Sequence, residues 1–125
     1  MSQAEVDLVT RAYEAVNRGD VEGLVALTDP AVVWEEGGIV FPDLPPAYHG
    51  HDGVRRWFQD ALVEAWESFN AEPLEIRDEG DGRVVQEVRI RGRGRASGVE
   101  VDMRMAQTAT IRNGLIVRRS IAPTE

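Results

Sequence analysis

The sequence has no cysteine and no lysine among its 125 residues. Without cysteine, thiol catalysis, disulfide bonds and cysteine-ligated zinc sites are excluded. Without lysine, a Schiff base on a lysine amine is excluded as well. All 14 basic residues are arginine. Acid–base chemistry in this chain therefore rests on carboxylate, histidine and tyrosine side chains.

Long apolar runs are also missing, because no stretch approaches the roughly 20 residues that a membrane span needs. The first nine residues, MSQAEVDLV, lack the basic and apolar regions of a signal peptide. The net charge of −8 disfavours nucleic acid and anionic membranes, since both bind positive surfaces. We expect a cytoplasmic protein that binds neither nucleic acid nor membrane. The length predicts one domain over residues 1–125.

The first third of the chain has helical spacing followed by a strand pattern. Ser2 and Glu5 form a capping box for a first helix, which Gly19 is suited to end. Asp20 can then cap a short second helix. Residues 31–36 read as a strand, and residues 37–50, with three glycines and three prolines, as a long structured loop.

Apolar residues recur at helical spacing again in residues 52–69, which predicts a third helix carrying Trp57, Phe58, Trp66 and Phe69. The period then changes from 3.6 to 2, and turn sequences at residues 80–82, 96–98 and 113–114 predict an antiparallel meander. The turn at residues 96–98 sets a register between the two strands around it. The expected cross-strand pairs are Gln86 with Gln107, Arg91 with Asp102, and Arg93 with Glu100.

The strand that ends in VVWEEGG carries the main catalytic candidate. Alternation puts Trp34 and Glu36 on the inner face and Glu35 on the outer face. Partial desolvation would make Glu36 a better proton acceptor, suited to abstract a proton beside a carbonyl. The alternative is that Glu36 is a solvated strand-end residue or pairs with an arginine.

Two histidines, His49 and His51, precede the third helix. A metal site would need a third ligand, which Asp43 or Asp52 could supply in principle, but the residues have neither helical nor zinc-finger spacing, so no metal is expected. His49 is suited to hydrogen-bond a substrate or Glu36. Otherwise both are ordinary loop residues, with His51 or Asp52 capping the helix.

Inward-facing aromatic, aliphatic and methionine side chains either line a ligand pocket or fill the core. Two inner amides, Gln86 and Gln107, form a polar spot within a cavity or satisfy each other. The candidate substrate-binding residues are Trp34, Trp57, Phe58, Trp66, Gln86, Val88, Met103 and Met105. The final strand is apolar on both faces, which favours a homodimer through the outer sheet face.

The order of these segments resembles the SnoaL-like and ketosteroid-isomerase-like branch of the nuclear transport factor 2 superfamily. The resemblance rests on residues 13–27, 29–34, 48–58, 92–101 and 111–118. It implies an α+β, cone-shaped fold in which three N-terminal helices pack on a curved, mostly antiparallel sheet. The superfamily includes isomerases, cyclases and non-catalytic ligand binders.

The steroid isomerase pattern places its general base on Glu36 and its second acid near Ala106 or Gln107. Its tyrosine falls on Ala12, next to Tyr13. The resemblance therefore implies a cofactor-independent isomerase or cyclase that acts on a small hydrophobic carbonyl compound. Glu36 would be the base, and Gln107, with Tyr13 or His49, would polarise the oxygen. The alternative is a non-catalytic protein of the same fold that binds a hydrophobic ligand or serves in assembly.

Overall fold

The structure, a computed structural model, describes residues 3–36 and 44–124. The first half of the chain contains all the helices and two strands, and four long strands follow from Trp66 onward. The elements are α1 (Gln3–Arg18), α2 (Val21–Val25), β1 (Thr28–Glu35), β2 (Ala47–His49), α3 (Gly50–Trp57), a π-helical segment (Phe58–Glu64), β3 (Trp66–Asp78), β4 (Arg83–Gly94), β5 (Glu100–Arg112) and β6 (Leu115–Pro123).

The helical hairpin at the start of the chain confirms the sequence prediction. Gly19 follows α1 with a φ of +72°, a left-handed conformation that glycine adopts without a steric penalty. Asp20 caps α2, where its Oδ1 accepts a hydrogen bond from the Gly23 amide at 2.9 Å. Ser2 of the predicted capping box lies outside the described residues, as do residues 37–43 of the predicted loop, and residues 47–49 of that loop form β2.

The six strands form one curved sheet in the order β2-β1-β6-β5-β4-β3. Strands β1 and β6 are parallel, and the other neighbouring strands are antiparallel. Asn113 and Gly114, in the turn between β5 and β6, both have positive φ, as the predicted Asn-Gly hairpin requires. The fold is therefore α+β with a mostly antiparallel sheet.

The predicted register between β4 and β5 is confirmed at all three expected pairs: Gln86 lies opposite Gln107, Arg91 opposite Asp102, and Arg93 opposite Glu100. The ion pairs on the outer face follow the diagonals as well as the register. Asp102 is bound by Arg89 at 2.6 Å, and Arg91 instead reaches Glu72 on β3 at 3.6 Å. Long arginine side chains reach diagonal neighbours as easily as direct ones.

The third helix was predicted wrongly, because it does not run to Phe69. Helix α3 begins at Gly50, with His49 at the N-cap position, and it widens into the π-helical segment that ends at Glu64. Strand β3 begins at Trp66, which pairs with Gly94 on β4. A side chain at Gly92 would meet the Trp66 ring at 2.7 Å, so a glycine on β4 makes room for the indole. Cross-strand packing thus overrides the helical spacing of the apolar residues.

Helix α1 is hydrogen-bonded to β3, an edge strand of the sheet. The Asn17 amide nitrogen donates to the Ala71 carbonyl at 2.8 Å, and the Ala71 N–H donates to Asn17 Oδ1 at 2.9 Å. The side chain thereby satisfies both main-chain groups of Ala71 on the open edge of the sheet. This contact fixes the position of the neighbouring turn of α1, which carries Tyr13. Within the described ranges, no helix is long and apolar enough to span a membrane.

Candidate active site

A cavity of about 50 Å³ lies between the helices and the inner face of the sheet. Most side chains around it are aliphatic or aromatic. Four lining residues have a hydroxyl, carboxylate, amide or guanidinium group, namely Tyr13 on α1, Glu36 after β1, Gln107 on β5 and Arg119 on β6. Polar groups from four separate elements therefore converge on one small apolar space.

Glu36 is buried, with 1% of its surface exposed. Its Oε1 accepts hydrogen bonds from Trp57 Nε1 at 2.7 Å and from Arg119 Nη1 at 2.9 Å. Its Oε2 has no hydrogen-bond partner among the described residues. The expected inward orientation of Glu36 is confirmed. Of the two alternatives to catalysis, the solvated side chain is ruled out, and the arginine pairing is present.

The two adjacent glutamates pair with two adjacent arginines. Because β1 and β6 run parallel, Val33 lies opposite Arg118, and Trp34 lies opposite Arg119. On the outer face Arg118 bridges to Glu35, and on the inner face Arg119 bridges to Glu36. Alternation along both strands therefore sorts the four charges into one outer and one inner pair.

Arg119 is the polar site residue that the sequence reasoning missed. It is 6% exposed, and its guanidinium carbon lies 5.0 Å from the Trp34 ring centroid and 5.2 Å from that of Trp57. The two ring centroids are 5.1 Å apart, so the guanidinium and both indoles form one three-membered cluster. Cation–π attraction in a desolvated cluster of this kind offsets part of the cost of burying the charge.

A hydrogen-bonded network continues from Arg119 toward α1. Arg119 Nε donates to Gln107 Oε1 at 2.9 Å, and Gln107 Nε2 donates to Gln86 Oε1 at 2.8 Å. Tyr13 donates its hydroxyl proton to the same Gln86 oxygen at 2.9 Å, and Gln86 Nε2 donates to the Val84 carbonyl at 2.7 Å. The two amides thus share one hydrogen bond, and Gln107 also forms part of the polar lining.

Burial raises the pKa of Tyr13 well above its usual value, and the nearby charge of Arg119 lowers it by a smaller amount. Tyr13 therefore stays protonated near neutral pH. Its proton is held by Gln86. The phenol serves as a neutral donor in the network, and a charged phenolate there is disfavoured.

The structure brings six of the predicted site residues to the cavity: Tyr13, Trp34, Glu36, Trp57, Val88 and Gln107. It places the others elsewhere. Phe58, Trp66 and Met105 are buried, and Met103 is half-buried, but none of these lines the cavity, and Gln86 lies behind Gln107 and Tyr13.

His49 and His51 also lie away from the cavity. His49 is exposed at the start of α3 and makes no side-chain capping bond there. His51 Nε2 lies 2.9 Å from the Thr28 carbonyl oxygen. Neither histidine contacts Glu36, so the expected role of His49 at the substrate oxygen has no geometric support.

Comparison with known proteins identifies the family of the chain. The chain matches the family model of the SnoaL-like domain over residues 9–119. Curated protein sequences give no match.

Several solved structures have the same fold over nearly the whole chain. A protein of unknown function from Burkholderia pseudomallei, described as NTF2-like, is 25% identical with a TM-score of 0.85, and the match covers 99% of this chain and 92% of that one. An NTF2-like protein from Burkholderia thailandensis is 26% identical with a TM-score of 0.81, covering 97% and 90%. A candidate polyketide cyclase from Sinorhizobium meliloti is 28% identical with a TM-score of 0.72, covering 92% and 93%.

Proposed function

We propose that this chain, which belongs to the SnoaL-like domain family, is an isomerase or cyclase that acts on a small hydrophobic carbonyl compound without a cofactor. Glu36 is the general base in this proposal. The observation that carries it is a buried carboxylate beside an apolar cavity, with one oxygen fixed and the other without a described partner.

Two donors hold Glu36 in place through a single oxygen. Trp57 Nε1 and Arg119 Nη1 both bind Oε1, so the lone pairs of Oε2 stay available for a proton. A base that is fixed before the substrate arrives loses little entropy in the reaction, and positioned bases contribute about 10²–10⁴-fold to proton-transfer rates. The surrounding aromatic rings limit the access of water to this carboxylate.

The second candidate is a non-catalytic protein that binds a hydrophobic ligand, and the mostly apolar lining of the cavity favours it. About 50 Å³ holds only a few heavy atoms, whereas pockets for drug-sized ligands measure about 300–1,000 Å³. A substrate must be small or must displace lining side chains. An enzyme and a binder are then distinguished by turnover, because both use the same cavity.

The proposal is tested by measuring how fast the α-protons of ketones are replaced by deuterium in deuterated water. Proton NMR is used to follow a panel of small neutral ketones with wild-type protein, Glu36→Gln and Glu35→Gln. We expect the wild type to accelerate exchange for at least one ketone and Glu36→Gln to lose about 10²–10⁴-fold of that rate. Glu35→Gln is the matched control, since Glu35 bridges to Arg118 on the outer face, and it is expected to keep the wild-type rate.

Two outcomes would reject the catalytic proposal. One is an exchange rate in Glu36→Gln equal to that of the wild type. The other is saturable binding of a ketone with no exchange in the wild type, which would support the binding protein.

We also propose that a second copy of the chain covers the outer face of the sheet. The centre of that face carries small, half-buried residues, among them Ala106, Thr108 and Ser120, with paired arginines and acids beside them. Paired charges of both signs allow the same surface to face itself across a two-fold axis.

Light scattering tests this arrangement. The wild type is expected to have the mass of a dimer, and Thr108→Arg that of a monomer, because an unpaired charge would enter the interface. Glu14→Arg, on the exposed side of α1, serves as the control and is expected to remain dimeric. A monomeric wild type would contradict the proposal.

A further inference from the structure

We infer that the Arg119–Glu36 pair exchanges charge with its ligand, so that the pocket takes a neutral weak acid. The proton of the ligand goes to Glu36, and the oxygen that becomes negative goes to Arg119. Enolisable ketones, enols and phenols belong to this ligand class. The inference rests on the proposed role of Glu36 as proton acceptor, and it assigns the oxygen-binding role to Arg119.

The charge of the lining determines the charge of the ligand. Among the described residues, the cavity is lined by one carboxylate, Glu36, and one guanidinium, Arg119, and they are joined at 2.9 Å. Tyr13 is protonated and Gln107 is an amide, so neither adds a charge. A charged ligand would bring an uncompensated charge into a buried site, which is costly. A neutral ligand leaves the site balanced.

Proton transfer then moves the negative charge without changing the total. The C–H bond next to the carbonyl breaks, its electron pair forms the carbon–carbon double bond, and the carbonyl π pair moves onto oxygen. The proton bonds to Oε2 of Glu36. Glu36 becomes neutral, and the enolate oxygen replaces it as the counter-charge of Arg119. Return of the proton to the same or to another carbon restores the pair and completes exchange or isomerisation.

Arg119 is better placed for this role than the residues that the steroid isomerase pattern suggested. Gln107 is engaged at both ends of its amide, since its Oε1 accepts from Arg119 and its Nε2 donates to Gln86. The Tyr13 proton is also given to Gln86. The described hydrogen bonds of Arg119 use Nε and Nη1, which leaves Nη2 for a ligand oxygen. A guanidinium also keeps its charge at all relevant pH values.

The absorption spectrum of bound para-nitrophenol tests the inference, because the phenolate has a visible band that the phenol lacks. The dye is added to wild-type protein at a pH at which the free dye is mostly the neutral phenol. We expect the bound dye to show the phenolate band. Bound dye that keeps the phenol spectrum would overturn the inference, as would a wild type that binds neither the dye nor the smaller unsubstituted phenol.

Three variants identify the two partners of the charge exchange. Arg119→Met is expected to lose the phenolate band and to bind the dye at least about tenfold more weakly, since a hydrogen bond to a charged group is removed. Arg119→Lys keeps the positive charge and is expected to keep the band, which covers the case in which the methionine variant does not fold. Glu36→Gln cannot accept the proton, so it must take phenolate from solution. Its affinity is expected to rise about tenfold per pH unit until the free dye is ionised.

The spectrum and the exchange assay can fail independently. A phenolate band without ketone exchange would reject catalysis and leave the charge-exchanging binding site in place. Ketone exchange with a neutral bound dye would leave Glu36 as the base and reject the role of Arg119.

Discussion

Replacing Arg119 with methionine is expected to lower the free energy of unfolding by about 3–5 kcal/mol, the usual cost of removing one partner of a buried ion pair. The substitution leaves Glu36 without its charged partner in a site where 1% of its surface is exposed. It also removes the donor to Gln107 and to the Glu35 carbonyl. Urea unfolding, analysed as a two-state transition, measures the change.

The neighbouring arginine provides the matched control. Arg118 precedes Arg119 on β6 and pairs with Glu35, but its side chain is 56% exposed. Arg118→Met is therefore expected to cost at most about 1 kcal/mol. The double variant Glu36→Gln with Arg119→Met removes both inner charges and is expected to be more stable than Arg119→Met alone. Equal losses for the two arginines would contradict the assignment of the inner pair as a buried ion pair.

Gln86→Leu is expected to cost at least about 2 kcal/mol, because it leaves two buried donors, the Tyr13 hydroxyl and Gln107 Nε2, without their common acceptor. Tyr13→Phe is expected to cost only about 1 kcal/mol, since Gln86 Oε1 still accepts from Gln107. Urea unfolding of both variants measures the difference. If Tyr13→Phe costs as much as Gln86→Leu, Gln86 is not the centre of the network.

The inward direction of Glu36 could be read from the sequence because it depends only on strand alternation. The β4–β5 register could be read for a similar reason, since a tight turn fixes which residues face each other. Both depend on local geometry, and both are confirmed by the burial of Glu36 and by the Gln86–Gln107 pair.

Arg119 could not be assigned in the same way, because its role depends on β1 and β6 being parallel neighbours. These strands are separated by most of the chain, and the β5–β6 register shifts between Thr110 and Ile111. That shift places both Ile116 and Arg119 on the inner side, against strict alternation. Two charged doublets in the sequence could have indicated the pairing. Glu35–Glu36 ends the first predicted strand, and Arg118–Arg119 lies within the last one.

The third helix was misjudged for another non-local reason. Residues 66–69 have helical spacing of apolar side chains, but Trp66 fits over Gly92 on β4. A strand at this position places Phe69 and Ala71 on the cavity wall. Phe69 therefore contributes to the site through a strand, and spacing alone could not distinguish the two structures.

The steroid isomerase pattern and the structure agree on the inward position of Glu36 and differ on the polar group beside it. Glu36 has the expected place, whereas the position of the second acid carries Gln107, whose amide is already bonded on both sides. Arg119 lies between Gln107 and Glu36 and supplies a positive charge. The proposed mechanism therefore keeps proton abstraction and replaces a neutral acid by a guanidinium.

Chemical rescue of Glu36→Ala by formate tests the central claim, that the Glu36 carboxylate is the base, most directly. Formate is small enough to occupy the space of the missing carboxyl group and can bind Arg119 there. Without formate, the α-proton exchange rate is predicted to fall by about 10²–10⁴-fold from that of the wild type, and added formate is predicted to restore exchange in a saturable manner. A Glu36→Ala variant that exchanges protons at the wild-type rate without formate would contradict the account.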